Sequence, residues 1–339
     1  MILDIIQTII NYSKLKSQIK CSQIDKYLYD HSYIFSLDTI QNIDQQIIEK
    51  RIFGKLKMLN CSDNEKINNV NHLKNTLKIL SCCYSGINQN GISELQCIEE
   101  LNCNFNRKID NVNHLKNTLK ILNCSYACGI DQNGISELQY IKKLDCSHNA
   151  KIKNVNYLKN TLQILRCKGN CGIDQHGISD LKHIEELDCS NNSKINNVNH
   201  LRDTLKILHC GWDCRIDQNS ISELQYIEEL YCHDNEKINN VNHLKDTLRI
   251  LYCGGHCDID QHGISELKYI EVLDCSDNGK LNNVNHLKDT LRELYCGGKC
   301  GIDQHDISEL KYIKIFYRDY NGNINNKIKD TSHLNMISK

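Results

Sequence analysis

The stretch Leu56-Lys-Met-Leu59-Asn-Cys61-Ser-Asp-Asn64 contains the pattern that decides the fold. Its cysteine begins a series in which the first step is 42 residues and every later step is 43. A second series with the same steps runs halfway between, as in Leu119-Lys-Ile-Leu122-Asn-Cys124. The first series is Cys61, Cys103, Cys146, Cys189, Cys232 and Cys275, and the second is Cys82, Cys124, Cys167, Cys210, Cys253 and Cys296. The chain is therefore built from units of 21 or 22 residues in two alternating forms.

Counting outward from this stretch finds the ends of the repeat array. Thr39 occupies the cysteine position of the first unit, and Arg318 occupies it in the last. Polar residues at these places are expected of terminal repeats, whose outer faces meet water. The frame predicts 14 units, which begin at residues 34, 56, 77, 98, 119, 141, 162, 184, 205, 227, 248, 270, 291 and 313.

The repeated pattern resembles the signature of leucine-rich-repeat proteins, Leu-x-x-Leu-x-Leu-x-x-Asn/Cys, with Cys in place of the third leucine. The resemblance covers almost the whole chain. It implies an α/β fold, namely a leucine-rich-repeat solenoid in which a right-handed β-α superhelix carries a parallel sheet on its concave side. It also implies short 3₁₀ or α turns on the convex side and a small helical cap at the N-terminus.

Each unit begins with an extended segment whose alternate side chains face opposite sides. We expect Leu59 and Cys61 to point into the core and Asn60 and Ser62 to point outward. The segment then returns through one of two turns. One form brings Ile135 and Leu138 inward after a turn at Gly134, and the other does so through Val112 and Leu115; both are too short for long helices.

Asparagines follow the first cysteine series at an offset of three residues. The resemblance implies that these side chains turn inward and bond to loop backbone groups that would otherwise be buried unpaired. The second form of the unit has Cys128, Cys171, Cys214, Cys257 and Cys300 there, which we interpret as the family's alternative Cys, displaced by a one-residue bulge. The asparagines are Asn64, Asn106, Asn149, Asn192, Asn235 and Asn278.

Charge and hydropathy narrow the function classes. Lys and Arg total 41 against 42 Asp and Glu, a balance that disfavours a nucleic-acid partner. The sequence contains no run of 18 apolar residues, so we predict no membrane-spanning segment. The first residues carry Asp4 where a secretory signal would carry a base, so we expect a cytoplasmic protein, in the host cytoplasm if the chain is viral.

The cysteines invite a chemical interpretation. Cys124 and Cys128 could supply two zinc ligands, but zinc takes four and the next such pair is expected two strands away. Disulfides between stacked cysteines are geometrically feasible, yet they do not persist in a reducing cytosol. A catalytic cysteine would be singular and paired with a positioned histidine. We therefore expect buried free thiols, with no metal, no cofactor, no catalytic residue and no enzymatic activity.

Residues 1–33 precede the array, which we place at 34–334 with a tail at 335–339. Their apolar residues recur every three or four positions and predict two amphipathic helices. They resemble a degenerate F-box, which implies contact with a Skp-family linker; a helical cap over the first repeat is the alternative. With this segment, the whole chain resembles the F-box-like and leucine-rich-repeat proteins of giant amoeba-infecting viruses. The residues matched are Leu3, Ile6, Ile9, Ile10, Tyr12, Ile19, Cys21, Ile24, Tyr27 and Leu28.

Outward strand positions line the predicted concave face. The residues between Leu and Cys are small or acidic in the first half of the chain and largely aromatic towards its end. Nearby glycines, including Gly211, Gly255 and Gly298, are expected to leave a shallow groove. We predict a protein-binding patch there, because exposed Tyr and Trp dominate interface energetics; simple aromatic packing along the sheet is the alternative. The patch comprises His209, Trp212, Tyr231, His233, Tyr252 and Tyr295.

The sequence thus predicts a scaffold that binds another protein on its concave face. An F-box at the N-terminus would make it the substrate-recognition adaptor of a cullin-type ubiquitin ligase. Because the return loops resemble those of bacterial internalins, a secreted adhesion or recognition protein is the alternative, and it predicts oxidised cysteines. We expect neither a nucleic-acid nor a membrane partner.

Overall fold

The computed structural model describes residues 33–38, 43–303 and 305–318. The chain forms two compact units, Met1–Ile152 and Lys153–Lys339. Each described repeat contributes one short strand followed by a tight return turn. The predicted helices within residues 1–32, the Thr39 position and the tail at 335–339 lie outside the described residues.

The strands of each unit are parallel and pair in chain order. Their central leucines are in register, as in the pairing of Leu80 with Leu101. The first unit contains β1 (Ser36–Leu37), β2 (Met58–Asn60), β3 (Ile79–Ser81), β4 (Glu100–Asn102), β5 (Ile121–Asn123) and β6 (Lys143–Asp145). The second contains β7 (Ile164–Arg166), β8 (Glu186–Asp188), β9 (Ile207–His209), β10 (Glu229–Tyr231), β11 (Ile250–Tyr252), β12 (Val272–Asp274), β13 (Glu293–Tyr295) and β14 (Ile315–Tyr317).

The return turns are single turns of helix, as predicted, except after β13, where residues 305–309 form a turn without a helix. Three are α-helical: α1 (Gln45–Ile48), α2 (Gln89–Ile92) and α3 (Gln218–Ile221). Each begins after a side-chain cap, for example Asn88 Oδ1, which accepts from the Gly91 N–H. The 3₁₀ helices are Arg51–Phe53, Asn71–Leu73, Asn113–Leu115, Asn133–Ile135, Asn156–Leu158, His176–Ile178, Asn199–Leu201, Asn242–Leu244, His262–Ile264 and Asn285–Leu287.

The core of each unit consists of stacked rows of Leu, Ile, Val and Cys. Leu59 and Cys61 are fully buried while Asn60 and Ser62 keep part of their surface in water, as the alternation predicts. Val112, Leu115, Ile135 and Leu138 are buried from the return side. Each fully buried Leu or Ile contributes about 1.5–3 kcal/mol relative to an exposed one.

Close packing of consecutive turns explains the glycine at the predicted turn position. A Cβ on Gly134 would lie 2.1 Å from the Asp110 carbonyl oxygen of the preceding repeat. The equivalent residue of a later repeat is Ser220, whose hydroxyl donates instead to the Asn196 carbonyl at 2.6 Å. A side chain is therefore accepted at this position when it hydrogen bonds to the carbonyl that it meets.

Candidate protein-binding surface

The residues predicted to bind a partner lie in the second unit. We call the outward side of strands β7–β14, with the loop residues that directly follow them, the sheet face. His209, Tyr231 and Tyr252 are the last residues of β9, β10 and β11 and are paired in register. The register places their side chains on the same side of three neighbouring strands.

These three rings form a continuous stack. The His209 and Tyr231 centroids are 4.0 Å apart with planes inclined by 5°, and the Tyr231 and Tyr252 centroids are 4.8 Å apart at 26°. Tyr295 is separated from the stack because Asp274 occupies the intervening strand, and it packs against Tyr317 at 6.2 Å instead. The structure thus brings three predicted residues together and places Tyr295 apart from them.

Trp212 and His233 form a second cluster in the loops after β9 and β10. The His233 ring and the indole form a T-shaped pair with centroids 4.1 Å apart, and the backbone N–H of Trp212 donates to the His233 carbonyl at 2.9 Å. Gly211 makes this contact possible, because a Cβ there would lie 2.7 Å from the His233 carbonyl oxygen. Trp212 nevertheless keeps 50% of its surface exposed.

The groove predicted beside these rings is filled at Gly255 and Gly298. The space that Gly255 and Gly298 leave is filled by Asp234 and Asp277, whose Oδ1 atoms would lie 2.2 and 2.0 Å from an added Cβ. Both carboxylates reach over to accept backbone N–H groups, Asp234 from His256 at 2.9 Å. These two glycines therefore admit a neighbouring carboxylate and leave no open space at their own positions.

The sheet face combines neutral rings with carboxylates. The Tyr231 hydroxyl donates to Glu229 Oε2 at 2.8 Å, and the Tyr295 hydroxyl donates to Glu293 Oε2 at 3.3 Å. Burial, with these carboxylates, raises the pKa of both tyrosines. Burial lowers the pKa of His209. At neutral pH all these rings are uncharged and can pack against an apolar or cationic group.

A further aromatic stack in the first unit escaped the sequence analysis. Tyr84, Phe105, Tyr126 and His148 stack in order, with centroid distances of 4.6, 4.4 and 4.8 Å. They stand two residues after the ladder cysteines, where the backbone is left-handed, with φ between 47 and 57°. The signal was available in the sequence as aromatics at one fixed offset. At this offset only Trp212, two residues after Cys210, was included in the predicted patch, and the equivalent aromatics of the first unit were not.

The asparagine series holds consecutive loops together. Asn106 Nδ2 donates to the carbonyls of Cys82 and Ile87 at 3.1 and 3.0 Å, and its Oδ1 accepts from the Lys108 N–H at 3.0 Å. Asn235 makes the three equivalent hydrogen bonds in the second unit. Asn64, Asn106, Asn149, Asn192, Asn235 and Asn278 are all buried. These residues are part of the scaffold and do not reach the sheet face.

The second cysteine of each alternate repeat occupies the corresponding place. The Cys103 thiol, together with the nearby Ile130 and Gly129 N–H groups, lowers the pKa of Cys128. The Cys128 sulfur lies 3.7 Å from Cys103 Sγ. In the repeat of Cys82, Ser85 occupies this place, and its hydroxyl accepts from the Ile87 N–H. This serine was missed because the sequence analysis looked only for Asn or Cys.

The cysteines are free thiols in the described residues. Four contacts between sulfurs join a ladder cysteine to the loop cysteine of the next repeat, such as Cys189 with Cys214 at 3.8 Å and Cys275 with Cys300 at 3.5 Å. Burial raises the pKa of Cys82 and Cys210 well above the ordinary value, so these thiols stay protonated. Within the described ranges, no three His, Cys, Asp or Glu residues form a group that could hold a metal ion.

The return side is fixed by a row of histidines. His114 Nε2 lies 3.0 Å from the Ile92 carbonyl of the preceding turn, and His243 Nε2 lies 3.1 Å from that of Ile221. The carbonyl accepts, so Nε2 carries the proton. Burial lowers the pKa of each ring. The full row is His72, His114, His200, His243 and His286.

Comparison with known proteins places the chain by fold. No family model matches the sequence, and no curated protein matches it. An internalin from Listeria monocytogenes is 17% identical with a TM-score of 0.59, and the match covers 81% of this chain and 85% of that one. A leucine-rich-repeat protein from Leptospira interrogans is 18% identical with a TM-score of 0.58, covering 93% and 88%. A chain in the yeast Rad7 and Elc1 complex is 16% identical with a TM-score of 0.56, covering 99% and 93%.

These similarities and the parallel strands confirm the predicted fold, a leucine-rich-repeat solenoid with short 3₁₀ and α turns. Among the described residues, no helix has the length and apolar character needed to cross a membrane.

Proposed function

We propose that the chain is a protein-binding scaffold whose contact surface is the sheet face of the second unit. The observation that carries the proposal is the stack of His209, Tyr231 and Tyr252 on three adjacent strands. Trp212 and His233 stand in the loops that follow β9 and β10, and we include them with Tyr295 in the contact surface.

The chemistry of this surface suits binding. Tyrosine and tryptophan bury a large area while few torsions are immobilised, and truncating one at an interface centre costs about 2 kcal/mol or more. The rings are already held in place by stacking and by hydrogen bonds such as Tyr231 to Glu229. Little side-chain entropy is therefore lost when a partner arrives. No residue is assigned a catalytic role.

A double variant tests the proposal. Tyr231→Ala/Tyr252→Ala removes two stacked rings from the sheet face. Tyr226→Ala/Tyr269→Ala removes two tyrosines that are 51% and 44% exposed and precede the strands on the return side. Proteins captured from a lysate by the wild type should be lost from the first variant and kept by the second. Equal capture by both variants, each folded by circular dichroism, would exclude the sheet face as the binding surface.

We further propose that residues 1–33 attach the scaffold to a Skp-family linker, so that the chain serves as a ubiquitin-ligase adaptor. The support is the resemblance of residues 1–33 to a degenerate F-box; the fold-level likeness to the Rad7 and Elc1 complex is compatible with such an assembly. Full-length protein should recover the linker and a cullin from lysate, and protein without residues 1–33 should not. Recovery by neither protein would indicate that residues 1–33 serve only as a helical cap over the first repeat.

The cytoplasm, or a host cell's cytoplasm if the chain is viral, is the location that we propose. The free, buried cysteines support it, since a reducing compartment keeps thiols in this state. Thiol titration of protein from its native source separates this from the secreted, internalin-like alternative. The buried ladder thiols are expected to react only after denaturation, while the partly buried Cys83 and Cys97 react earlier; disulfides would favour secretion.

A further inference from the structure

Charges on the sheet face are balanced on its first strands. Glu186 on β8 forms an ion pair with Arg166, whose Nη2 lies 2.7 Å from Glu186 Oε1. Asp188, at the end of the same strand, forms an ion pair with Lys168, whose Nζ lies 3.2 Å from Asp188 Oδ2. The carboxylates of this part are therefore neutralised within the chain.

The later strands differ. Glu229, Asp274 and Glu293 occupy outward positions of β10, β12 and β13, and none of the outward residues of β10–β13 is basic. Asp274 Oδ1 accepts only a neutral donor, the Ser276 N–H at 3.0 Å. Within residues 153–303 and 305–318, the ion pairs involve other carboxylates and leave these three without a cationic partner.

The aromatic stack is interrupted at the same place. Tyr252, Asp274 and Tyr295 are in register on β11, β12 and β13. Neighbouring strands are about 4.8 Å apart, so the two tyrosines are separated by roughly 10 Å with a carboxylate between them. Each of His209, Tyr231 and Tyr252 has a ring in front of it on the next or preceding strand, but the side of Tyr252 towards Asp274 has no ring.

A planar cation fits this interruption. Placed above Asp274, it would stand about 5 Å from each tyrosine, within the range of cation–π attraction. An arginine guanidinium can also donate two parallel hydrogen bonds to the carboxylate. Glu229 and Glu293 add negative charge on either side. The same field shows in Tyr252, whose pKa is raised by burial and then by Asp274, Glu293 and Glu229.

We infer that the sheet face binds a basic segment of its partner protein and that one arginine of that segment inserts between Tyr252 and Tyr295 onto Asp274. This inference rests on the proposed function, because it specifies the chemistry of the partner that the sheet face receives. The expected partner segment is an extended peptide that contains arginine, since the site is open and runs across neighbouring strands.

The first test is selection of 12-residue peptides from a random display library on the full chain. Peptides that compete with one another should be enriched in arginine, and replacing that arginine by the neutral isostere citrulline should weaken binding about tenfold. A selection that yields no binder, or binders without arginine enrichment, overturns the inference.

A matched pair of variants gives the second test. Asp274→Asn preserves the shape and the acceptor for Ser276 but removes the charge. Asp188→Asn makes the same change at the same strand position, where Lys168 already neutralises the carboxylate. The selected arginine peptide should bind about tenfold more weakly to Asp274→Asn and within about twofold of wild type to Asp188→Asn. Equal weakening by both variants would indicate general charge attraction and would overturn the site.

Failure of the inference is distinguishable from failure of the proposed function. Neutral or acidic peptides whose binding is lost in Tyr231→Ala/Tyr252→Ala would leave the sheet face as the binding surface and exclude the basic partner. Peptides that bind that variant as well as they bind wild type would contradict both.

Discussion

The two units each carry a row of stacked rings, but the rows stand on different backbone. In the first unit Tyr84, Phe105 and Tyr126 occupy left-handed loop positions, and in the second His209, Tyr231 and Tyr252 end β-strands. Centroid distances are similar, 4.4–4.8 Å in the first row and 4.0–4.8 Å in the second. Stacking is therefore a consequence of repeat spacing in both units, and by itself it does not mark a binding site.

Charge and support separate the two rows. In the first unit the outward ends of β2–β5 are Asn60, Ser81, Asn102 and Asn123, which are neutral, and only β6 ends in a carboxylate, Asp145, whereas several carboxylates flank the rings of the second unit. A left-handed conformation costs a residue with a side chain about 1–2 kcal/mol, which stacking worth about 0.5–1.5 kcal/mol per pair offsets in the first row. The strand positions of the second row carry no such cost. Stacking in the first row thus stabilises its own loops, although Tyr84 and Tyr126 stay exposed, and Trp212 shares their left-handed backbone. The neighbouring carboxylates are therefore the clearer difference between the two rows.

The largest expected effect tests whether the scaffold is equivalent in both units. Asn235→Ala leaves two buried carbonyls and one N–H unpaired and should lower the free energy of unfolding by roughly 3 kcal/mol. Asn106→Ala leaves the Ile87 carbonyl and the Lys108 N–H unpaired, whereas the Cys82 carbonyl keeps the Ser85 hydroxyl as a donor, so its loss should be roughly 2–3 kcal/mol. Exposed Asn160→Ala is the control and should change it by less than about 0.5 kcal/mol. Urea unfolding followed by circular dichroism measures all three. A small loss at only one of the buried sites would show that the loops are held differently.

The backbone difference predicts a reversal of sign. At position 105, where φ is 55°, Gly should be more stable than Ala by about 1 kcal/mol because only Ala is strained. At position 252, inside a strand, Gly should be less stable than Ala by about 0.5–1 kcal/mol. Melting of the four variants gives both differences. The same sign at both positions would refute the contrast between the rows.

Acid should weaken the return side of both units alike. Burial lowers the pKa of His72, His114, His200, His243 and His286 below the usual 6.5. The unfolded chain then binds more protons, so stability is complete above pH 6.5 and falls as the pH drops through the folded-state pKa values. The effect per ring is small because the rings are partly exposed. Replacing His114 and His243 by Gln should flatten the dependence of melting temperature on pH between 7.5 and 5.5, values chosen about one unit either side of the ordinary histidine pKa; an unchanged profile would assign it to other groups.

The smallest expected effect concerns binding by the first row. Tyr84→Ala/Phe105→Ala/Tyr126→Ala should leave the affinity for a peptide selected on the sheet face within about twofold of wild type, because these rings lie outside that face. Fluorescence anisotropy with the labelled peptide measures it. A tenfold loss would show that the first row belongs to the binding surface, and a two-site surface would then replace the present one.

The fold could be predicted from the sequence because every repeat carries the same pattern of buried residues. The period of Leu and Cys determines which side chains are buried, and the short interval between strands leaves room only for single helical turns. The groove prediction failed at Gly255 because Asp234 of another repeat fills the space beside it, and the repeat period does not show this contact. The left-handed Phe105 was missed because strand alternation does not apply beyond the end of a strand. The six predicted contact residues remain a prediction about binding.

The central claim is tested most directly by photo-crosslinking from the two rows. A benzophenone-bearing phenylalanine would replace Tyr252 in one protein and Tyr126 in another, each exposed to lysate and light. The account predicts a covalent adduct with a specific protein from position 252, suppressed by excess of the arginine-bearing peptide, and no such adduct from position 126. The same adduct from position 126 with none from position 252 would contradict it.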